Sequence, residues 1–417
     1  MRNTFRGGIR FPAALHNAKE RTLKRVIAVV TPSLIRFPLI VGKRRFTPCV
    51  QDGDAVFVGD RLGVDESGFY PPFHSGLSGK VCLSDHELTV VGDGKQARGA
   101  LLRPLAAAAA PDDIVDRMYD GGLVGLGGAG FPTHRKYRGV RAENLLINAC
   151  ECEAYLAADG RLAIEEPDTL REGITWLMKA AAVAPDSVWL CAKSETVIEA
   201  LRRIAHGTLW RVVTVSDRYP QGGEKQLIRT VLKREIPHDS VPTACGIVVS
   251  NIATAAAMAD AARGLPLTHR VITVSGEAAE PCNLLAPIGT PLRFLAAEAT
   301  PLMSGRRAHL ILGGAMTGVR VASPDSGLPK YGTGVLILPA DRHDESPCIR
   351  CGACVRVCPA GLMPYLIDAA VLQSDTALCT ALKHDACIAC GCCSYVCPAH
   401  RELAARIADC RQKGGGF

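Results

Sequence analysis

Gly121-Gly122-Leu123-Val124-Gly125-Leu126-Gly127-Gly128-Ala129-Gly130-Phe131-Pro132-Thr133, followed by Asn144-Leu145-Leu146-Ile147-Asn148-Ala149-Cys150-Glu151-Cys152-Glu153, governs how the middle of this chain folds. The second stretch predicts an apolar strand with polar and acidic residues just past its C-terminal end, where open α/β sheets bind ligands. Two further strands are expected at Val188–Ala192 and Arg211–Ser216, each reached through a helical stretch, Leu170–Val183 and Ser194–Ile204. That β-α-β-α-β period predicts a mainly parallel sheet. The third strand leads into Tyr219-Pro220-Gln221-Gly222-Gly223-Glu224-Lys225, a Gly-bearing turn that opens a helix running to Glu235. Glycine, an acid and a base at a helix N-terminus suit the phosphates and ribose hydroxyls of a nucleotide. A fourth strand, Gly246–Ser250, ends at Asn251.

Gly125, Gly127 and Gly130 formally match G-x-G-x-x-G, but a dinucleotide fingerprint should follow a strand and open a helix. Here Pro111–Tyr119 reads as a helix and Pro132 spoils the first turn afterward. The run is therefore read for what its backbone offers. Dense glycine exposes N–H groups to a phosphate and lets a planar ring approach the main chain. A flexible loop is the plain alternative.

Toward the C-terminus, eight of the 18 cysteines form two copies of one pattern, Cys348-x2-Cys351-x2-Cys354-x3-Cys358-Pro359 and Cys387-x2-Cys390-x2-Cys393-x3-Cys397-Pro398. This is the spacing of the bacterial two-cluster ferredoxin. Three thiolates on a short loop reach three irons of one [4Fe–4S] cube, and the fourth iron takes a cysteine from the start of the helix after the other loop. Cys348, Cys351, Cys354 and Cys397 are thus expected around one cluster, and Cys387, Cys390, Cys393 and Cys358 around the other. Structural zinc is the competing reading, but it prefers paired C-x2-C ligands to tandem triplets. Cys392 is out of register, and the other nine cysteines are scattered without ligand spacing, as buried thiols often are. Leu362–Lys383 reads as one or two helices and Arg401–Arg411 as a closing helix.

Composition bounds the rest. The chain has 417 residues, 48% of them hydrophobic, 21% charged and 5% aromatic, which is globular rather than disordered or fibrous. No apolar run approaches the roughly 18 residues of a membrane helix, and the N-terminus lacks the apolar stretch of a secretory signal. A cytoplasmic chain is expected. Residues 1–50 hold eleven Lys or Arg against Glu20 alone, a local +10 in a chain of +7 overall. Such a patch can face acidic headgroups or an acidic partner, or be an ordinary solvated face. Without the interleaved aromatics of a stacking platform, nucleic acid is not expected.

Together, Gly127-Gly128-Ala129-Gly130-Phe131-Pro132-Thr133, Asn148-Ala149-Cys150-Glu151-Cys152-Glu153 and Tyr219-Pro220-Gln221-Gly222-Gly223-Glu224-Lys225 resemble the RnfC family. That family is the peripheral NADH-oxidising subunit of the Rnf electron-transport complex. More distantly, these elements are similar to the flavin-bearing subunit of respiratory complex I. The resemblance implies that the loop of Gly125, Gly127, Gly128 and Gly130 holds FMN and that Phe131 stacks on NADH. It further implies that Asn148, Glu151, Glu153, Tyr219, Gly223 and Asn251 belong to the cofactor site. Lys136, Glu151 and Glu224 would position and polarise at the reacting centre. Two segments depart from the family pattern: Glu153-Ala154 with Asp159-Gly160-Arg161, in place of Glu-Cys-Glu-Pro and Asp-Asp-Arg, and Gly313-Gly314-Ala315-Met316-Thr317-Gly318, in place of Gly-Gly-Pro-Met-Met-Gly.

The expected organisation is a multidomain α/β chain. Residues 1–104 would form an RnfC-like barrel-sandwich hybrid, and 105–260 a parallel-sheet FMN/NADH domain. Residues 261–340 would form a β-grasp domain of the soluble-ligand-binding type with a linker, and 341–417 a helical two-[4Fe–4S] ferredoxin module. Lys80 follows Gly79 into a strand instead of sitting at a hairpin tip, which argues against a lipoyl or biotinyl carrier; His74 reads as a turn residue. The implied partners are the integral-membrane and iron–sulfur subunits of the Rnf complex, NADH, and ferredoxin indirectly, at the cytoplasmic face of a bacterial inner membrane. Two other readings use the same motifs. A cobalamin reductase of diol-utilisation compartments shares the glycine loop and clusters but lacks a barrel-sandwich ahead of them. A non-catalytic ferredoxin-like adapter would leave the loop empty and contain no flavin.

Overall fold

The structure is a computed structural model that describes residues 4–299, 308–340 and 344–413. Its centre is a four-stranded sheet in the order Arg211–Thr214, Val188–Ala192, Asn144–Asn148, Ile247–Asn251, with every pair parallel. Leu145, Leu146 and Ile147 of the inner strand are wholly buried, which is why that strand reads as a continuous apolar run without alternation. Helices Pro111–Asp120, Pro167–Ala180, Glu195–Ala205 and Ile252–Ala262 pack around it. A methyl on Gly173 would run into the carbonyl of Ala255, so the Pro167–Ala180 and Ile252–Ala262 backbones lie in direct contact. Helix Ala158–Glu165 is one the sequence pattern does not announce; it fills the crossing between the first two strands.

Residues 34–92 make two antiparallel sheets. One runs Leu34–Pro38, Glu87–Gly92, Gly79–Leu83, Ala55–Val56, and the other Ile40–Val41, Arg44–Pro48, Arg61–Asp65, Phe73–His74. Phe37 and Phe73 stack between them, with ring centroids 4.7 Å apart. A six-stranded sheet follows, in the order Ile27–Val29, Cys282–Pro287, His269–Gly276, Gly334–Pro339, Ala308–Leu312, Val319–Arg320, with helix Leu292–Ala297 against it.

Residues 4–30 do not stay with the antiparallel sheets, although the expected 1–104 domain includes them. Ile27–Val29 pairs in parallel with Cys282–Pro287. Helix Ala13–Leu23 contacts the Ala158–Glu165 helix and the six-stranded sheet. Ile9 bridges to Tyr219, and Gly8 N–H donates to the Val357 carbonyl at 2.7 Å. The N-terminal segment thus binds the sheet domain to the cysteine-bearing module.

That module is helical, with short helices Ala353–Val357 and Cys392–Tyr395 and longer ones Pro364–Leu372, Thr376–Ala381 and Leu403–Lys413. Cys358 and Cys397 fall just after the short helices, not at the start of following ones as the spacing suggests. Buried Asp368 ties the module together by accepting from Arg401 at 2.6 Å and Arg406 at 2.5 Å.

His74 also departs from expectation. It lies in a two-residue strand, 3% exposed, and its Nδ1 has no partner among the described residues. Burial first, then the charges of Lys330 and Arg61, hold its pKa down at about 3. The unfolded chain binds a proton there below pH ~6.5, and the folded chain refuses it until about 3. Stability tied to this ring is therefore full above ~6.5 and is lost as pH falls toward 3. His74→Gln is expected to flatten the fall in unfolding free energy between pH 6.5 and 4.5, measured by denaturant titration, by up to one proton's slope, roughly 1.4 kcal/mol per pH unit. An unchanged slope would show that His74 is not the group responsible.

Candidate functional site

The glycine loop closes on itself: Gly125 N–H donates to the Phe131 carbonyl at 2.8 Å and Gly130 N–H to the Gly125 carbonyl at 3.2 Å. Its underside is held by Leu126 N–H donating to Thr254 Oγ1 at 3.0 Å and by Arg270, which donates to the Leu126 carbonyl. Gly127 lies against Asn251, with 3.2 Å between an added Cβ and the Asn251 Cβ. Gly130 has φ +63° and faces Tyr331. Gly128 is the open position of the run.

Around this loop the strand ends bring the expected residues together. Asn148 donates from Nδ2 to the Gly222 carbonyl at 2.9 Å, which places the Tyr219–Gly223 turn over the end of the central strand. Lys136 reaches back from the short Thr133–Tyr137 helix to Glu224 Oε1 at 2.8 Å and to the Val249 carbonyl at 3.0 Å. Asn251 accepts from Ala253 N–H, capping the following helix, and donates to Asp159 Oδ2 at 2.5 Å. Phe131 stays at the rim, 45% exposed.

The two acids after Asn148 point in different directions. Glu151, at φ +33°, turns its carboxylate to the N-terminus of helix Ala158–Glu165, where Asp159 and Gly160 N–H donate at 3.1 and 3.3 Å. Glu153 faces the cysteine module. It accepts from Met316 N–H at 2.9 Å, Thr317 Oγ1 at 2.6 Å and Tyr219 OH at 3.4 Å. The two segments that depart from the family pattern therefore meet, and any side chain on Gly314 would collide with the Glu153 carboxylate.

Lys19 and Asp159 are site residues that sequence reasoning does not pick out. Lys19 Nζ donates to the carbonyls of Glu151 and Glu153, and burial pulls its pKa down. Packing, and then the charge of Glu151, push the Asp159 carboxyl up to about 7. Lys19 lies 132 residues from Glu151 in the chain, and no local pattern signals that contact. Asp159 stands out in the sequence only as part of a departure from the family pattern.

The eight pattern cysteines gather in two hollows, each of about 350 Å³ including its open mouth. One is lined by Cys348, Cys351, Cys354 and Cys397, the other by Cys358, Cys387, Cys390 and Cys393. The remote cysteine crosses over in both, as the spacing requires. Among the described residues no three of His, Cys, Asp and Glu converge on a single-ion position. A cubane, which takes one thiolate at each of four separate irons, suits this arrangement better than a tetrahedral ion does.

The hollow with Cys390 adjoins the glycine-loop site. Tyr219 OH donates to the Cys390 carbonyl at 2.8 Å, and burial with the Glu153 charge pushes the phenol's pKa up, keeping it a donor. The hollow with Cys348 and Cys351 opens to the surface, beside exposed Ile349. The residues present fit both implied groups. Four thiols surround each hollow, and beside the glycine loop the buried Thr133 hydroxyl has no partner among the described residues.

Residues 118–260 match the family described as Nuo51 FMN-binding domain, and residues 342–363 match a 4Fe-4S binding domain. The chain is 34% identical over 398 residues to the C subunit of the ion-translocating oxidoreductase complex of Rhodobacter capsulatus, covering 89% of this chain and 76% of the relative. It is 33% identical over 388 residues to the C subunit of the Na(+)-translocating ferredoxin:NAD(+) oxidoreductase complex of Acetobacterium woodii, covering 87% and 86%. A solved NAD+-reducing [NiFe]-hydrogenase in the H2-reduced state aligns with 67% of this chain and 54% of its own at 23% identity and a TM-score of 0.48.

Proposed function

The chain belongs to the RnfC family, the C subunits of ion-translocating oxidoreductase complexes, and from that premise we propose that it is the subunit at which NADH delivers its electrons. FMN at the glycine loop would supply the exchange between a hydride's electron pair and single electrons, and two [4Fe–4S] clusters on the eight cysteines would supply the one-electron path. The chain's own residues bind, orient and insulate. The glycine loop lets a flat ring approach the main chain, and Lys136, held between Glu224 and the Val249 carbonyl, fixes a positive charge beside the strand ends. Glu224 opens its helix and orients that charge. Phe131 offers the nicotinamide nucleotide an exposed ring at the rim.

The observation that carries this reading is the Tyr219 turn. Its main chain accepts Asn148 through Gly222, and its phenol reaches the Cys390 carbonyl, so a nucleotide-type site and a four-cysteine hollow share one wall. This supports an order in which electrons leave by the Cys358/Cys387/Cys390/Cys393 cluster first. The Cys348/Cys351/Cys354/Cys397 cluster, at the surface, then passes them to iron–sulfur and integral-membrane subunits, and so to ferredoxin. Among the described residues no helix is long and apolar enough to cross a membrane, consistent with a peripheral subunit, which we place at the cytoplasmic face of the inner membrane. We read residues 34–92 as the barrel-sandwich and the six-stranded sheet as the β-grasp of this family.

Anaerobically isolated protein is expected to contain about eight irons and one FMN, and NADH is expected to bleach the flavin band and then raise iron–sulfur electron paramagnetic resonance signals. Fully flavin-loaded protein that NADH leaves unchanged, while dithionite reduces it, would overturn the NADH-oxidising role.

A further inference from the structure

Two basic side chains are buried beneath the glycine loop, Arg270 on strand His269–Gly276 and Lys330 just ahead of strand Gly334–Pro339. Arg270 spans two main chains. Its Nη1 donates to the Lys330 carbonyl at 2.7 Å and its Nη2 to the Leu126 carbonyl at 3.3 Å. Lys330 Nζ donates to the carbonyls of Pro72 at 2.6 Å and Gly122 at 2.7 Å, which ties the start of the loop to the antiparallel sheets. From helix Ile252–Ala262, Thr254 Oγ1 accepts from Leu126 N–H at 3.0 Å. Both polar groups of the Leu126 main chain are therefore held.

A trans peptide sets its C=O and the next N–H on opposite sides of one plane. With the Leu126 carbonyl turned toward Arg270, the Gly127 N–H points the other way. The N–H groups of Gly127, Gly128 and Ala129 donate to nothing among the described residues, and all three residues are exposed. The loop thus offers donors on one side while its Leu126 carbonyl is taken on the other. Arg270 also brings charge. Burial draws its pKa down to about 10, against the pull of the Asp159 and Glu151 charges, so it is a cation at neutral pH. It makes no direct ion pair among the described residues, and a charge in so dry a place is weakly screened.

We propose that Arg270 is a positioning residue of the flavin site, which turns the Leu126–Gly127 peptide so that its N–H faces the cofactor and sets a buried positive charge beneath it. This rests on the proposal that FMN lies against the glycine loop. Arg270 itself touches no cofactor and acts through the Leu126 carbonyl. The six-stranded sheet, which contributes none of the expected cofactor residues, thereby helps to set how tightly the flavin is held and how readily it is reduced. Reduced FMN carries more electron density than oxidised FMN, so a buried cation nearby favours the reduced form. Without Arg270, the Asp159 and Glu151 carboxyls would lose an opposing charge, which acts in the same direction.

Protein stripped of flavin but with its clusters intact is titrated with FMN, following the quenching of flavin fluorescence, and the flavin midpoint potential is then measured on the reloaded protein. Arg270→Met is expected to raise the Kd for FMN by about tenfold or more, the scale of a hydrogen bond from a charged donor. Reduced FMN should lose about tenfold more affinity than oxidised FMN, which lowers the two-electron potential by about 30 mV. Arg270→Lys keeps the charge but cannot span two carbonyls, so the potential should return to the parent value while affinity recovers only in part. Thr254→Val frees the Leu126 N–H and removes no charge; affinity should fall a few-fold with the potential unmoved. A potential that does not shift in Arg270→Met would mark a merely structural brace and overturn the proposal. Should Arg270→Met lose iron and flavin together, the other two variants decide, and FMN affinity unchanged in both would overturn it. A parent protein that binds no FMN would end the flavin reading itself, and that failure shows before any variant is made.

Discussion

Cys390→Ser protein is expected to keep its NADH-bleachable flavin and to deliver no electrons onward. Cys390 is one of four thiols around the hollow that adjoins the Tyr219 turn, and its carbonyl accepts the Tyr219 phenol. Losing one of the four thiolates opens that cube, so iron should fall from about eight toward four. The informative comparison is Cys351→Ser, which damages the surface hollow instead. Reduced with NADH, the Cys351→Ser protein should still show one cluster signal, from the site beside the flavin loop. The Cys390→Ser protein should show none, although dithionite should still reduce its remaining cluster. Both variants should be dead in transfer to the membrane subunits. The opposite pattern, with NADH-reducible signal surviving in Cys390→Ser and lost in Cys351→Ser, would reverse the order of the two clusters.

The proposed order could not be read from the sequence, although the grouping of the eight cysteines into two sets of four could. The spacing of Cys348, Cys351 and Cys354 is local, and the crossing-over of Cys397 follows from the size of a cube, so both were legible. Which hollow lies next to the glycine loop depends on a bond between Tyr219 and Cys390, 171 residues apart. Strand Val188–Ala192 lies at its expected limits because a strand buried on both faces is a continuous apolar run with polar ends. Helix Ala13–Leu23 was invisible for the opposite reason. Only Thr22 and Leu23 of it are buried, so it carries almost no apolar stripe, and Lys19 anchors it to main-chain carbonyls far along the chain. The acids were half legible. Their place past a strand end was signalled, but the division of labour, Glu151 capping a helix and Glu153 facing the cysteine module, comes from contacts that only the assembled fold creates.

The second large effect concerns the loop itself. Gly130→Val is expected to leave the clusters in place and abolish flavin retention. At φ +63° a β-branched residue is a steric outlier, and even its Cβ would stand 2.8 Å from Tyr331 Cδ1. The chain can relieve this only by moving the 125–131 turn, whose Gly130-to-Gly125 bond fixes the main chain that a flat ring would lie against. Backbone strain of this kind costs about 1–3 kcal/mol, and here it is added to the loss of the bound shape. Gly127→Ala is the graded control: its Cβ would stand 3.2 Å from Asn251 Cβ, so that the loop or the start of the following helix must give by a few tenths of an ångström. Flavin should weaken in Gly127→Ala and be absent in Gly130→Val, while iron stays near eight in both. NADH should then fail to reduce the clusters of Gly130→Val, and dithionite should succeed. If Gly130→Val retained a full complement of FMN, the flavin could not lie against this loop, and Lys136, Glu224 and Phe131 would lose their assigned roles with it.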